Sequence, residues 1–188
     1  MPYVPPHKRQ RIINKEVKPK RHEVRYKSIV IPYIETRYNN ATSTSYVLVK
    51  DAKFNEYTFV VGGCKKNEQT STCALRELKE ETRGILGNVP RHALDVGFQF
   101  DSKERSAAER KKDAIEGVDV TMRYTVYYLR LDVTKTAFSN LRERFTKMRP
   151  KKAENNETSD IVLKTKHELE ESKKLWSFMK ERVLPKLR

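Results

Sequence analysis

The sequence predicts an α/β protein built on a mixed sheet. Apolar, β-branched segments separated by turn residues indicate several strands, and residues 118–133 give the longest strand signal. Residues 70–82 have a helical composition, with no glycine or proline. Strands and helices alternate without a regular βαβ rhythm, which favours a mixed rather than an all-parallel sheet.

The elements follow from these patterns in chain order. The predicted strands share runs of β-branched and aromatic residues: they cover residues 26–36, 46–52, 57–63, 93–100, 118–133 and 161–165. The predicted helices cover residues 70–82, 136–149 and the last twenty residues, 169–188, as one closing helix. Residues 53–56 connect two strands as a hairpin, Pro32 argues for an edge or a bulge, and residues 101–117 form a polar loop with some helix.

The composition divides the chain into two parts. Residues 1–25 hold eight Lys or Arg, two Glu and four Pro, and therefore predict a flexible basic N-terminal arm. Residues 26–188 are expected to form one globular domain. The arm could be a solubilising tail, a contact to a phosphate backbone or a nuclear-import signal.

The formal net charge of +15 suits an anionic partner such as a phosphate compound, RNA or an anionic membrane surface. No apolar run approaches the roughly 20 residues that span a bilayer, so we expect no membrane insertion. No apolar signal region is seen, so the expected location is the cytoplasm or the nucleus. Cys64 and Cys73 are expected to be reduced, and their spacing predicts no zinc site.

The segment "VVGGCKKNEQTSTCALRELKEETRGIL", residues 60–86, contains an acidic cluster in this basic chain. On a helix Glu77 lies beside Glu80 and Glu81, and three such carboxylates repel one another. A hard divalent cation, Mg²⁺ or Mn²⁺, would make the arrangement favourable. The alternative is a solvated helix face with pairs such as Arg76 with Glu80.

The spacing of the cluster resembles the signature of the Nudix hydrolases. Counted from Gly62, the residues Glu68, Arg76, Glu77, Leu78, Glu80 and Glu81 fall in place. The family's closing glycine falls at Arg83, and this sequence has Gly84 instead. The resemblance implies an α/β/α sandwich with a mixed central sheet over residues 26–188.

The resemblance also implies roles for individual residues. Glu77, Glu80 and Glu81 would bind Mg²⁺ or Mn²⁺, assisted by a main-chain carbonyl of Gly62 or Gly63. Arg76 would hold the glutamates, and Glu68 would fix the loop. The reaction would be hydrolysis of a diphosphate, with metals neutralising charge and activating water. Family members often use a further glutamate outside the signature, for which the candidates are Glu104, Glu109, Glu116 and Glu157.

Three substrate classes remain open. Capped RNA, cleaved to release m7GDP, suits the net charge and the basic arm. The segment "TCALRELKEET" is similar to the matching stretch of Nudix enzymes of large DNA viruses, several of which remove mRNA caps. A viral protein would act in its host cell. ADP-ribose or dinucleoside polyphosphates form the second class. Diphosphoinositol polyphosphates form the third. The basic residues considered for phosphate contact are Lys65, Lys66, Arg105, Arg110, Lys111 and Lys112.

Base recognition needs an aromatic ring, and a function without catalysis is also possible. The candidates for stacking are Tyr33, Tyr38, Phe98, Phe100, Tyr124, Tyr127 and Tyr128. Trp176 is expected in the closing helix, packing it onto the sheet. A non-catalytic Nudix-fold RNA-binding module is the alternative of another class, although such modules usually lack the metal-binding glutamates that this chain keeps. The oligomeric state is left open.

Overall fold

The computed structural model of the chain describes residues 21–39, 41–148 and 157–188. Most of the predicted arm, residues 1–20, therefore lies outside the described residues. The first strand begins at Arg21, so residues 21–25, which we assigned to the arm, are part of the sheet. They pair with a second strand at residues 118–122, a partner that local composition does not show.

Seven strands form one mixed sheet. Their bounds are β1 Arg21–Tyr38, β2 Ala41–Asp51, β3 Tyr57–Thr58, β4 Val60–Gly63, β5 Leu94–Ser102, β6 Val118–Arg130 and β7 Thr158–Thr165. The order is β3-β2-β1-β6-β5, with β4 paired to β1 and β7 paired to β2. Among the paired strands of the described residues, β1 and β6 run parallel and the other pairs are antiparallel.

One edge of the long strand β1 is shared by two partners. Lys27 to Val30 pair with β4, and Tyr33 to Tyr38 pair with β2. Pro32 lies between the two ladders, where its missing N–H removes no hydrogen bond from either of them. The expectation of an edge or bulge at Pro32 is therefore replaced by a change of partner within a buried strand.

Five α-helices are present in the described residues. They are α1 Thr70–Glu81, α2 Ala107–Glu116, α3 Lys135–Lys147, α4 Lys166–Glu170 and α5 Ser177–Arg182. Ser106 with Glu109 and Thr165 with Glu168 form capping boxes that start α2 and α4. None of the helices described is long and apolar enough to cross a membrane.

The helices cover both faces of the sheet. Ala74 and Leu78 of α1 and Phe138 and Phe145 of α3 pack on one face. On the other face the chain from α4 to the end contributes a buried apolar set: Leu169, Leu175, Phe178, Met179, Val183, Leu184 and Leu187. The predicted α/β/α sandwich with a mixed central sheet is confirmed.

The prediction of one closing helix over residues 169–188 is wrong. The chain forms two short helices, α4 and α5, and a final 3₁₀ turn at Leu184–Lys186. Between α4 and α5 the backbone leaves the helix to bond β3: Tyr57 N–H donates to Lys174 O at 2.7 Å, and Trp176 N–H donates to Tyr57 O at 2.9 Å. This pairing overrides the helical apolar spacing of the segment.

Candidate active site

The loop between β4 and α1 is closed by an ion pair. Arg76 donates from Nε to Glu68 Oε1 and from Nη2 to Glu68 Oε2, both at 3.0 Å. Glu68 Oε2 also accepts the N–H of Lys65 at 2.8 Å. The Arg76 guanidinium lowers the pKa of Glu68 to about 2, so this carboxylate is ionised throughout the physiological range.

Arg76 also reaches the acidic cluster. Its Nη1 donates to Glu77 Oε1 at 2.7 Å and to Glu80 Oε2 at 3.2 Å. Its Nη2 donates to Gly63 O at 2.9 Å. One guanidinium thus ties together the loop carboxylate, two helix carboxylates and the end of β4, which is the holding role predicted for Arg76.

The predicted carboxylates share one cavity of about 360 Å³. Glu77, Glu80 and Glu81 line it together with Gly62 and Gly63. Burial raises the pKa of Glu77, and burial together with the nearby Glu77 charge raises the pKa of Glu81 well above its usual range, although the Val61 N–H partly opposes this. Ionised together without a cation, these carboxylates are destabilising.

This donor set fits a hard divalent cation. All the side chains concerned offer carboxylate oxygen, which Mg²⁺ and Mn²⁺ prefer. Burial is the main cause of the raised pKa of Glu77 and Glu81, and a bound cation would offset both this cost and the repulsion between the carboxylates. Both carbonyl oxygens lie beside α1: Cys73 Sγ is 3.8 Å from Gly62 O, and Arg76 Nη2 donates to Gly63 O at 2.9 Å.

Gly62 is required by the path of Glu77. A Cβ built on Gly62 would lie 1.8 Å from Cδ and 2.1 Å from Cγ of Glu77. A Cβ on Gly63 would meet nothing within 4 Å. The paired glycines of the signature are therefore not equivalent, because only the first one leaves space for the Glu77 side chain.

The structure distinguishes among the four candidate glutamates outside the signature. Glu157, just before β7, lines the carboxylate cavity with Glu77, Glu80 and Glu81. Glu104 and Glu109 line a different, larger cavity. Glu116 pairs with Arg25 and Lys112 at 3.9 Å and lines neither cavity.

Arg83 occupies the position of the family's closing glycine and adopts a left-handed backbone with φ of 55°. Its side chain donates to the carbonyls of Phe145 at 2.9 Å, Met148 at 2.6 Å and Thr158 at 2.7 Å. The guanidinium also lies 4.0 Å from the centre of the Phe145 ring. Arg83 therefore fastens the end of α1 to the end of α3 and to the segment that carries Glu157.

The larger cavity, of about 530 Å³, adjoins the carboxylate cavity, and Lys27 and Val61 line both. Of the predicted phosphate contacts, Arg105 and Arg110 line the larger cavity. Lys65, Lys66, Lys111 and Lys112 are exposed and line neither cavity, so the structure does not bring these four to the site. Composition suggested them, but they lie on outward-facing positions of a loop and of α2.

Lys27 was not predicted as a site residue, although its place in the strand pattern is a signal. Lys27 shares the strand face of Ile29 and Ile31, which are fully buried. A lysine on the apolar face of a strand is costly unless it meets an anion or a cavity. Of the predicted aromatic residues with described side chains, only Tyr124 lines the larger cavity; Phe54 and Trp176 line it as well and were not proposed for stacking.

Comparisons with known proteins give a family for the chain and similar solved structures. The family model "NUDIX domain" matches residues 37–182. None of the curated proteins matches the chain in sequence. The pyrophosphohydrolase BsRppH of Bacillus subtilis superposes with a TM-score of 0.50 at 19% identity, over 92% of this chain and 80% of that one. A mutT/nudix family protein of Listeria innocua gives a TM-score of 0.49 at 19% identity, over 86% of this chain and 90% of that one.

The family match spans most of the chain and contains the whole loop and helix that carry the carboxylates. The superposition on the Bacillus subtilis protein supports the same fold. The protein belongs to the NUDIX family.

Proposed function

We propose that the protein is a divalent-metal-dependent pyrophosphohydrolase that removes the 5′ cap of RNA and releases m7GDP. The observation that carries the proposal is the pair of adjoining cavities. One is lined by four carboxylates, and the other has the size and the aromatic lining that a nucleotide base requires.

The residues of the chain divide the work. Glu77, Glu80 and Glu81 hold the metal, and the main-chain carbonyl of Gly62 or Gly63 assists. The metal, when bound, neutralises charge on the diphosphate and lowers the pKa of water. Arg76 keeps Glu77 and Glu80 in place through the bonds of 2.7 and 3.2 Å. Glu157 accepts the proton of the attacking water, since it lines the same cavity from the segment just before β7.

Lys27 lies where the two cavities meet. Its ammonium group can bind a phosphate oxygen while the diphosphate reaches the carboxylates. A cation at this place draws the substrate toward an otherwise negative cavity and fixes which phosphorus faces the water.

The charge of the larger cavity favours a nucleotide over an inositol polyphosphate. Asp51, Glu56, Glu104 and Glu109 line it beside Lys27, Arg105 and Arg110. A diphosphoinositol polyphosphate would meet four carboxylates there, and repulsion would oppose binding. ADP-ribose and dinucleoside polyphosphates remain the alternative nucleotide substrates.

The net charge of +15 supports RNA as the body of the substrate, because phosphate contacts need no sequence recognition. We further propose, from the resemblance described above, a relation to the decapping enzymes of large DNA viruses and action in the cytoplasm or nucleus. A non-catalytic RNA-binding module is disfavoured because the full carboxylate set is present and shares one cavity.

The test compares three substrates under one condition. Capped RNA, ADP-ribose and a diphosphoinositol polyphosphate are each incubated with Mg²⁺ or Mn²⁺, and kcat/KM is measured for the parent and for Glu80→Gln/Glu81→Gln. We expect capped RNA to have the highest kcat/KM and the double variant to be inactive. A higher value for a small substrate would reject decapping and keep the hydrolase.

Turnover of no substrate, with RNA still bound, would reject the hydrolase. A thermal melt in EDTA shows that the double variant is folded. We expect it to melt no lower than the parent, because Glu81→Gln removes the cost of burying a charge, which is the main cause of the raised pKa of Glu81.

A further inference from the structure

We propose that the larger cavity is a binding site for a cationic purine base, with Phe54 and Trp176 as its stacking surfaces. This inference rests on the proposed function and specifies its substrate class: an N7-methylated guanine nucleotide rather than an unmodified one. It follows from three observations on the lining of the cavity.

The first observation is that the Trp176 ring is held in place. The backbone of Trp176 bonds Tyr57 O at 2.9 Å, next to the bond of 2.7 Å between Tyr57 N–H and Lys174 O. The indole stacks on Phe178, with ring centres 4.9 Å apart and planes at 29°. The ring centre of Phe178 lies in turn 5.0 Å from that of Tyr124. An aromatic ring fixed in this way loses little conformational freedom when it stacks on a ligand.

The second observation is that Phe54 lies at the cavity and is largely exposed, with Lys53 Nζ 5.0 Å from the centre of its ring. Its side chain is 65% exposed, although it is a large apolar residue. Two hydrogen bonds from the backbone to one side chain fix the turn that carries it: Asp51 Oδ1 accepts the N–H groups of Lys53 and Phe54, each at 2.7 Å. Asn55 completes the turn in the left-handed region at φ of 58°. An exposed ring on an ordered turn beside a cavity is typical of ligand contact.

The third observation is the local charge. Asp51, Glu56, Glu104 and Glu109 line this cavity beside the cations Lys27, Arg105 and Arg110, and Arg105 is paired with the buried Asp113 at 2.9 Å. A cavity that bound only phosphate groups would not need carboxylates in its lining. A base with a delocalised positive charge satisfies both the carboxylates and the aromatic faces, because aromatic rings attract cations through their quadrupole.

The cavity is also tied to the carboxylate site. The N–H of Ala52, in the Phe54 turn, donates to Glu157 O at 2.7 Å. Lys27 and Val61 form the shared wall. A nucleotide with its base beside Phe54 and Trp176 would therefore extend its phosphates past Lys27 toward Glu77 and Glu81.

Trp176 is the only tryptophan of the chain, so its fluorescence reports on this cavity alone. The 188-residue chain is titrated in EDTA, where no turnover occurs, with m7GDP, GDP and ADP-ribose. We expect m7GDP to quench the fluorescence and to bind on the order of 10-fold or more tightly than GDP. Equal binding of m7GDP and GDP, tighter binding of ADP-ribose, or no quenching would overturn the inference.

Phe54→Leu keeps apolar bulk and removes the aromatic face. It should weaken m7GDP binding on the order of 10-fold and reduce the preference over GDP. The matched control is Tyr26→Leu, since Tyr26 is also an exposed aromatic, at 47%, and lines neither cavity. The control should bind like the parent. A Phe54→Leu protein that keeps the preference would contradict the stacking role.

The outcomes separate this inference from the proposed function. Cap hydrolysis by the parent, with unchanged m7GDP binding in Phe54→Leu, would leave the decapping hydrolase standing and remove the base site. Selective m7GDP binding without cleavage of capped RNA would do the reverse.

Discussion

The requirement for Gly62 gives the sharpest structural prediction. In Gly62→Ala the new Cβ would lie 1.8 Å from Glu77 Cδ and 2.2 Å from its Oε1. Non-bonded carbons need more than about 3 Å, so the Glu77 side chain must move by about 1 Å or more. The move also disturbs the bond of 2.7 Å from Arg76 Nη1 to Glu77 Oε1.

A displacement of about 1 Å in a catalytic group costs on the order of 10²-fold in rate. We therefore expect kcat of Gly62→Ala to fall about 10²-fold, in an assay of diphosphate hydrolysis with saturating Mg²⁺. The fold should survive, because the atoms in conflict belong to a side chain that can swing away rather than to backbone.

Gly63→Ala is the matched control. It adds the same methyl group one residue later, where nothing lies within 4 Å. We expect its activity within a few-fold of the parent and melting temperatures of both variants close to the parent. Equal activities for the two variants would refute the placement of Glu77 over Gly62.

Three further predictions concern Glu157, Arg83 and Glu68. Glu157→Gln should lower kcat on the order of 10²-fold or more with m7GDP binding unchanged, and an effect on KM alone would contradict its role as proton acceptor. Arg83→Gly should relieve a left-handed backbone but lose three hydrogen bonds from a charged donor. The free energy of unfolding, measured in urea, should therefore fall by about 3 kcal/mol. A variant as stable as the parent would show that Arg83 does not hold α1 to α3. Glu68 has its pKa lowered from 4.5 to about 2, so its ion pair stabilises the fold above pH 4.5 and is lost as the pH falls toward 2. Between pH 6 and pH 2 the parent should therefore lose up to about 3 kcal/mol more than Glu68→Gln, measured by urea unfolding at each pH, and identical pH profiles would show that the pair does not stabilise the fold.

The parts of the site that a local pattern encodes were predictable. Glu77, Glu80 and Glu81 lie on one helix face, and Arg76 and Glu68 lie at a fixed spacing from them. Helix geometry places such residues together whatever the rest of the chain does. The structure accordingly brings all five to the loop and cavity where the spacing placed them.

The parts that depend on distant pairing were not predictable. Lys27, Phe54 and Trp176 come from a strand, a turn and a chain segment near the end, and only the sheet register brings them together. Trp176 was expected inside a helix, whereas it lies directly before α5 because its backbone bonds β3. No spacing in the sequence records that pairing.

Basic clusters in the sequence did not predict which cations line the cavities. Lys65 and Lys111 looked like phosphate contacts because they belong to basic clusters, but both are exposed and line neither cavity. Arg105 does line the larger cavity, yet its side chain is 5% exposed and bonds Asp113 at 2.9 Å. The bond to Asp113 uses Nη2 only, and Nε and Nη1 of Arg105 are buried without a hydrogen-bond partner among the described residues.

The most direct test of the central claim is the identity of the released product. RNA labelled in the phosphates of its cap is incubated with the protein and Mg²⁺, beside Glu80→Gln/Glu81→Gln, and the products are separated by chromatography. We expect labelled m7GDP from the parent only, because the cap would be held in the larger cavity and cleaved at the carboxylates of the adjoining one. Intact capped RNA after incubation with a folded parent protein, or equal product from the double variant, would contradict the account.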